Sequence, residues 1–231
     1  MADNRQQPAK TRGPADGKVA AFLAEARALA PSPGEGRGRL IFALDATMSR
    51  QPTWDRAQHL QAGMFEVAAA VGGLDIQLVY FRGHDECRAS RWVSDGRALR
   101  DLMAGIDCRG GNTQIGKVLA HARREATRRK VKVVVFIGDA QEEILDNLAA
   151  SAGALGLLGV RLFMFQEGTD VAAERAFREL ARLSGGAYAR FDPNAADELR
   201  QLLTAAAVYA AGGLKALRAS AAPPLLIAQL K

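Results

Sequence analysis

Five oxygen-bearing side chains stand where the chain leaves apolar runs or passes paired glycines. Asp45, Thr47 and Ser49 alternate at the end of "RLIFALDATMS", Thr113 follows Gly110 and Gly111 in "CRGGNTQIG", and Asp139 follows "VKVVVFIG". Two carboxylates and three hydroxyls are hard donors only, a set that suits Mg²⁺, Mn²⁺ or Ca²⁺ rather than zinc. So few anionic ligands leave a divalent ion electron-poor and able to accept a further carboxylate. In extended backbone, residues two apart point the same way, so Asp45, Thr47 and Ser49 converge if the chain stays extended past the strand. Taken singly, each residue has a plainer reading: Asp45 as a strand-end carboxylate, and Ser49, Thr113 and Asp139 as helix N-caps. It is their joint occurrence in three loops that points to a cation site, with Glu142 and Glu143 as candidates for its rim.

Other motifs fail on chemistry. The run from Gly111 to Val118 reads G-x-x-x-x-G-K-V, but a phosphate-binding loop needs Ser or Thr where Val118 stands and a strand before it. "LDAT" lacks the second aspartate of an aspartyl-phosphate phosphatase, because position 47 is Thr. "HDEC", residues 84–87, reads as a polar hairpin turn. His59 and His121 have no ligand-spaced partner. The basic run "HARREATRRKVK" lacks the interleaved aromatics that nucleic-acid stacking uses and reads as a solvated helix face, so no nucleic-acid partner is expected.

These residues must be positioned by an alternating pattern of strands and helices. Strands are predicted at 39–44, 76–81, 87–93, 131–137, 160–165 and over "AYARF". Helices are predicted at about 53–71, 96–106, 114–129, 141–157, 171–183 and 195–217. Such alternation implies an α/β fold of the Rossmann-like, doubly wound type: a mostly parallel six-stranded sheet with helices on both faces. "RGHDE" is too short for a parallel crossover, so the third strand is an antiparallel edge strand. In open sheets of this kind ligands bind beyond the carboxyl ends of the strands, where all three loops lie. Residues 1–17 read as a disordered N-terminus, 18–30 as a short amphipathic helix and 31–38 as a linker. Residues 39–217 form the domain, and 218–231 a tail whose "LLIAQL" must dock or be recognised.

The 231 residues are 48% hydrophobic and 24% charged, enough to build a full core. A net charge of +6, with 24 Arg against 7 Lys, permits acidic partners without selecting one. Cys87 and Cys108 form no disulfide framework and fit a reduced, cytoplasmic setting. No apolar run is long enough to span a membrane. Glu25 and Arg27 interrupt "VAAFLAEARALA", so no export signal is expected.

The pattern resembles the von Willebrand factor A (VWA) domain family from Arg39 to Leu217, in particular its bacterial intracellular members. The family's metal-ion-dependent adhesion site (MIDAS) uses D-x-S-x-S, a Thr and an Asp. These fall on Asp45, Thr47, Ser49, Thr113 and Asp139, with Thr47 replacing the usual Ser. The resemblance implies a Mg²⁺-type cation that recognises another protein through its Asp or Glu, in an adaptor or regulatory subunit serving an ATPase or chaperone-type complex. Two alternatives stand beside it: a phosphoester hydrolase using the same ion with Glu142 or Glu143 as base, and a scaffold whose metal site is vestigial.

Overall fold

The computed structural model describes residues 37–47, 73–192 and 196–230. Within them the chain runs β1 (Gly38–Asp45), β2 (Leu74–Arg82), β3 (Glu86–Val93), α1 (Gly96–Ala104), α2 (Ile115–Arg128), β4 (Val133–Gly138), α3 (Leu145–Leu157), β5 (Arg161–Glu167), α4 (Val171–Ser184), β6 (Ala187–Phe191), α5 (Ala196–Arg218) and α6 (Pro224–Gln229). The helices expected at 18–30 and 53–71, and Ser49, lie outside the described residues.

One six-stranded sheet, in the order β3-β2-β1-β4-β5-β6, organises the molecule. Every pairing is parallel except β2 with β3, the expected antiparallel edge. Central strands such as "VVVFIG" are buried along their whole length because helices cover both faces. Leu40, Phe42, Leu44, Val135 and Phe163 pack with α1, α5 and α6 on one side. Ile41, Ala43, Phe81, Phe136 and Met164 pack with α2, α3 and α4 on the other. There Phe136 lies parallel to Phe81, with centroids 6.1 Å apart, and meets Phe177 edge-on at 5.4 Å. Asp95 caps α1 through the Ala98 N–H (2.9 Å), and Asp170 caps α4 through Ala173 (2.6 Å). Among the described residues no helix is long and apolar enough to cross a membrane.

Three details depart from the sequence reading. The helix expected from 141 begins at Leu145, because the residues before it are held in a loop by contacts described below. The last long helix is broken at Gly213, whose φ of 69° and ψ of −166° no other residue type adopts easily. The chain also bends at Thr47, ending the extended geometry that was to align Asp45, Thr47 and Ser49.

Both sheet edges are guarded. Edge strand β3 carries exposed Arg88 and Arg91 and a register shift opposite Gln77–Val79, features that discourage strand addition. At the other edge the tail docks as α6, with Leu226 fully buried. The Gln229 side chain imitates a neighbouring strand: the Tyr188 N–H donates to its Oε1 (2.9 Å), and its Nε2 donates to the Tyr188 carbonyl (3.0 Å). Gln229→Ala should therefore cost about 1–3 kcal/mol in urea unfolding. It should also increase self-association on size exclusion by leaving a β6 backbone pair open.

On α2, His121 Nε2 donates to Gln77 Oε1 of β2 (2.9 Å). Burial pulls the imidazole pKa below its ordinary value, with Glu125 opposing and Arg124 reinforcing the shift. The unfolded chain therefore takes up a proton, near its ordinary value of about 6.5, that the folded chain refuses. Stability is accordingly lost as pH falls through about 6.5 toward the lowered folded value. The melting temperature should drop on acidification through that range, and His121→Gln should flatten the profile.

Candidate metal centre

The winding reverses between β1 and β4, which are adjacent and parallel, with Leu44 opposite Ile137. Asp45 ends β1 and Asp139 follows Gly138, the last residue of β4. The two carboxylates thus leave neighbouring strands on the same edge of the sheet, at the switch point where open α/β sheets bind ligands. By strand alternation Asp45 shares the face of Ile41 and Ala43, the face on which α2 packs.

Asp45 is 1% exposed, and its Oδ1 accepts the Thr47 N–H at 2.8 Å. This Asx-type turn, rather than continued extension, brings Thr47 round beside it. Thr47 is buried as well. The Thr113 loop is fastened at three points. Arg109 N–H donates to the Ala46 carbonyl beyond β1 (3.0 Å), and Asn112 N–H to the Gly83 carbonyl of the β2–β3 turn (3.2 Å). Thr113 itself meets the loop after β4: its N–H donates to Glu142 Oε2 (2.8 Å), and its Oγ1 accepts the Glu142 N–H (3.0 Å). Asp45, Thr47, Thr113 and Asp139 are thereby gathered at one edge of the sheet.

The plainer readings of Thr113 and Asp139 fail here. The residue capping α2 is Gln114, with no side-chain cap bond, and the one capping α3 is Ile144, five residues beyond Asp139. Asp139 Oδ1 is buried and has no hydrogen-bond partner among the described residues. A buried carboxylate oxygen without a donor carries a desolvation cost that a cation would remove. Among the described residues no group of three or more His, Cys, Asp and Glu side chains could hold a metal. The donors present, two carboxylates with hydroxyls, are hard oxygen donors of the kind that fit a divalent cation.

Glu142 and Glu143 do work that sequence reasoning missed. The Glu143 carboxylate reaches back to the start of α2, where Ile115 N–H donates to Oε1 and Gly116 N–H donates to Oε2 at 2.9 Å. It thus sits at a helix N-terminus, that of α2 rather than that of α3. Burial pushes its pKa up, against the pull of those two N–H groups. Lys117, from the failed phosphate-loop pattern, turns to Asp85 in the hairpin turn and to Gln114 Oε1 (2.9 Å). Cys87 and Cys108 are both thiols, and burial raises the Cys87 pKa. Arg123, Arg124, Arg128, Arg129 and Lys130 are exposed, as a solvated face requires.

No protein-family model matches the chain, nor does any curated protein sequence. Solved structures do. Proximal thread matrix protein 1 of the mussel byssus superposes with a TM-score of 0.60 at 16% identity, over 74% of this chain and 46% of that one. The SpRpn10 VWA domain gives 0.53 at 14% identity, over 73% and 93%. Manganese-loaded Plasmodium vivax TRAP protein gives 0.54 at 16%, over 72% of each chain. A further form of the mussel protein, with a zinc-occupied MIDAS motif, gives 0.59 at 18%, over 74% and 46%. This chain thus spans just under half the length of the mussel protein. At these identities the likeness is one of fold, and the fold is that of a VWA domain.

Proposed function

We propose that this chain is a divalent-cation-dependent protein-interaction module, an adaptor or regulatory subunit that works in the cytoplasm. Asp45, Thr47, Ser49, Thr113 and Asp139 would hold the ion, with Mg²⁺ as the resident metal and Mn²⁺ or Ca²⁺ as substitutes. When bound, the ion supplies an electron-poor centre for an Asp or Glu of a partner, such as a component of an ATPase or chaperone-type complex. The protein's own part is to present few anionic ligands in a fixed frame, so that positive charge remains for the incoming carboxylate.

The observation that supports this reading is the pair of bonds that tie the Thr113 segment to Glu142, three residues past Asp139, whose buried Oδ1 has no hydrogen-bond partner among the described residues. The zinc- and manganese-loaded neighbours support it by fold. The same geometry narrows the hydrolase alternative to one candidate base. Glu143 has both carboxylate oxygens taken by backbone N–H groups, and a catalytic base needs a free oxygen facing water, whereas exposed Glu142 accepts an N–H through Oε2 alone. The test is affinity capture with immobilised protein in Mg²⁺ and again in EDTA, alongside calorimetric titration of Mg²⁺ and Mn²⁺. A saturable 1:1 heat and chelator-sensitive capture are expected. Capture unchanged by EDTA would sink the proposal.

A further inference from the structure

Glu142 and Glu143 are adjacent, yet both reach across to the segment that opens α2, with partners 27 to 29 residues away. Four hydrogen bonds result. Glu142 and Thr113 exchange two, each residue's N–H donating to the other's side-chain oxygen. Glu143 takes the first two N–H groups of α2, Ile115 and Gly116. Those N–H groups have no partner inside the helix, and Gln114 supplies no side-chain cap. A carboxylate at this end is further favoured by the helix dipole. Glu142 lies three residues beyond Asp139 on the same short loop, so these bonds tie the segment bearing Asp139 to the one bearing Thr113.

We infer that Glu142 and Glu143 form a positioning clamp, which fixes the Thr113 hydroxyl relative to Asp139 before any cation arrives. The inference rests on the cation reading above and assigns two residues to it that touch no ion. In this arrangement Glu142 acts through the acceptor oxygen it offers the Thr113 N–H, and not through its charge. Glutamine offers the same oxygen without the charge, and alanine offers neither.

Calorimetric titration of Mn²⁺ into the full chain and its Glu142→Gln and Glu142→Ala variants tests this, together with hydrogen exchange at the Thr113 amide in the metal-free protein. Loss of an outer partner of a metal ligand typically costs roughly 10–100-fold in affinity. A loss of that size is expected for Glu142→Ala, and near wild-type affinity for Glu142→Gln. The Thr113 amide should be protected in the wild type and the Gln variant and exchange faster in the Ala variant. Equal affinity in the wild type and the Ala variant overturns the clamp and leaves the cation site standing. Equal weakening by Gln and Ala also overturns it, since charge would then be the agent. A wild type that takes up no Mn²⁺ fells the proposed function, and the clamp's role with it.

Discussion

Replacing Asp139 by alanine should abolish uptake of Mg²⁺ and Mn²⁺ while leaving the metal-free protein at least as stable as the wild type. The two effects share one cause. Asp139 is partly buried, and its Oδ1 is buried with no donor among the described residues, so in the metal-free chain that oxygen carries a desolvation cost. Removing the side chain relieves it. With cation present the sign reverses, because a ligand bound only by the folded state stabilises that state by mass action. Addition of Mn²⁺ should therefore raise the melting temperature of the wild type and leave that of the variant unchanged. The affinity loss should exceed the roughly 10–100-fold typical of outer partners. Asp45→Ala offers a contrast. Asp45 Oδ1 accepts the Thr47 N–H, so its loss should abolish cation binding and also cost about 1 kcal/mol in the metal-free protein. Calorimetry and thermal melts with and without Mn²⁺ read both variants. Unchanged Mn²⁺ affinity in Asp139→Ala would remove that residue from the site.

The architecture was legible because its signals are local. The period of apolar residues marks each strand, and the five residues "RGHDE" are too short to cross the sheet, which forces the β2–β3 hairpin. Two of the three loops were legible for a related reason: Asp45 and Asp139 stand at the ends of buried strands, while Thr113 stands out by following paired glycines between two helices. What escaped depends on distant pairings. Nothing near Glu142 or Glu143 announces that their oxygens will meet N–H groups of residues 113, 115 and 116. Those same bonds delay the helix expected at 141 until Leu145. Alternation at 45, 47 and 49 suggests extended backbone, but an aspartate can also turn the chain on itself, and Asp45 does. The tail's docking likewise depends on Gln229 meeting Tyr188, 41 residues earlier.

Gly111→Ala should disable the site from a residue that ligates nothing. A Cβ at position 111 would lie 2.0 Å from the Gly83 carbonyl oxygen and 2.4 Å from the Gly83 Cα. The obstruction is backbone at the β2–β3 turn, where Gly83 has a φ of 62°, so no side-chain rotation relieves it. The two segments must separate, which breaks the Asn112 N–H bond to Gly83 (3.2 Å). Gln114 Nε2, which donates to the Arg82 and Gly83 carbonyls at 3.2 Å, is pulled away as well. Thr113 stands between these two anchors, so its hydroxyl moves with them. A ligand displaced by about 1 Å is a serious loss to a site that relies on preorganisation. The expected result is a fall in Mn²⁺ affinity of at least the roughly 10–100-fold seen when a ligand's support is removed, with the far-ultraviolet spectrum unchanged because the sheet and its helices are untouched. Gly110→Ala is the control: a Cβ there meets nothing within 4 Å, and the same substitution one residue earlier should bind Mn²⁺ as the wild type does. If both variants bind equally well, Thr113 does not depend on the contact with the hairpin turn. The carboxylates of β1 and β4 would then have to hold the ion without it.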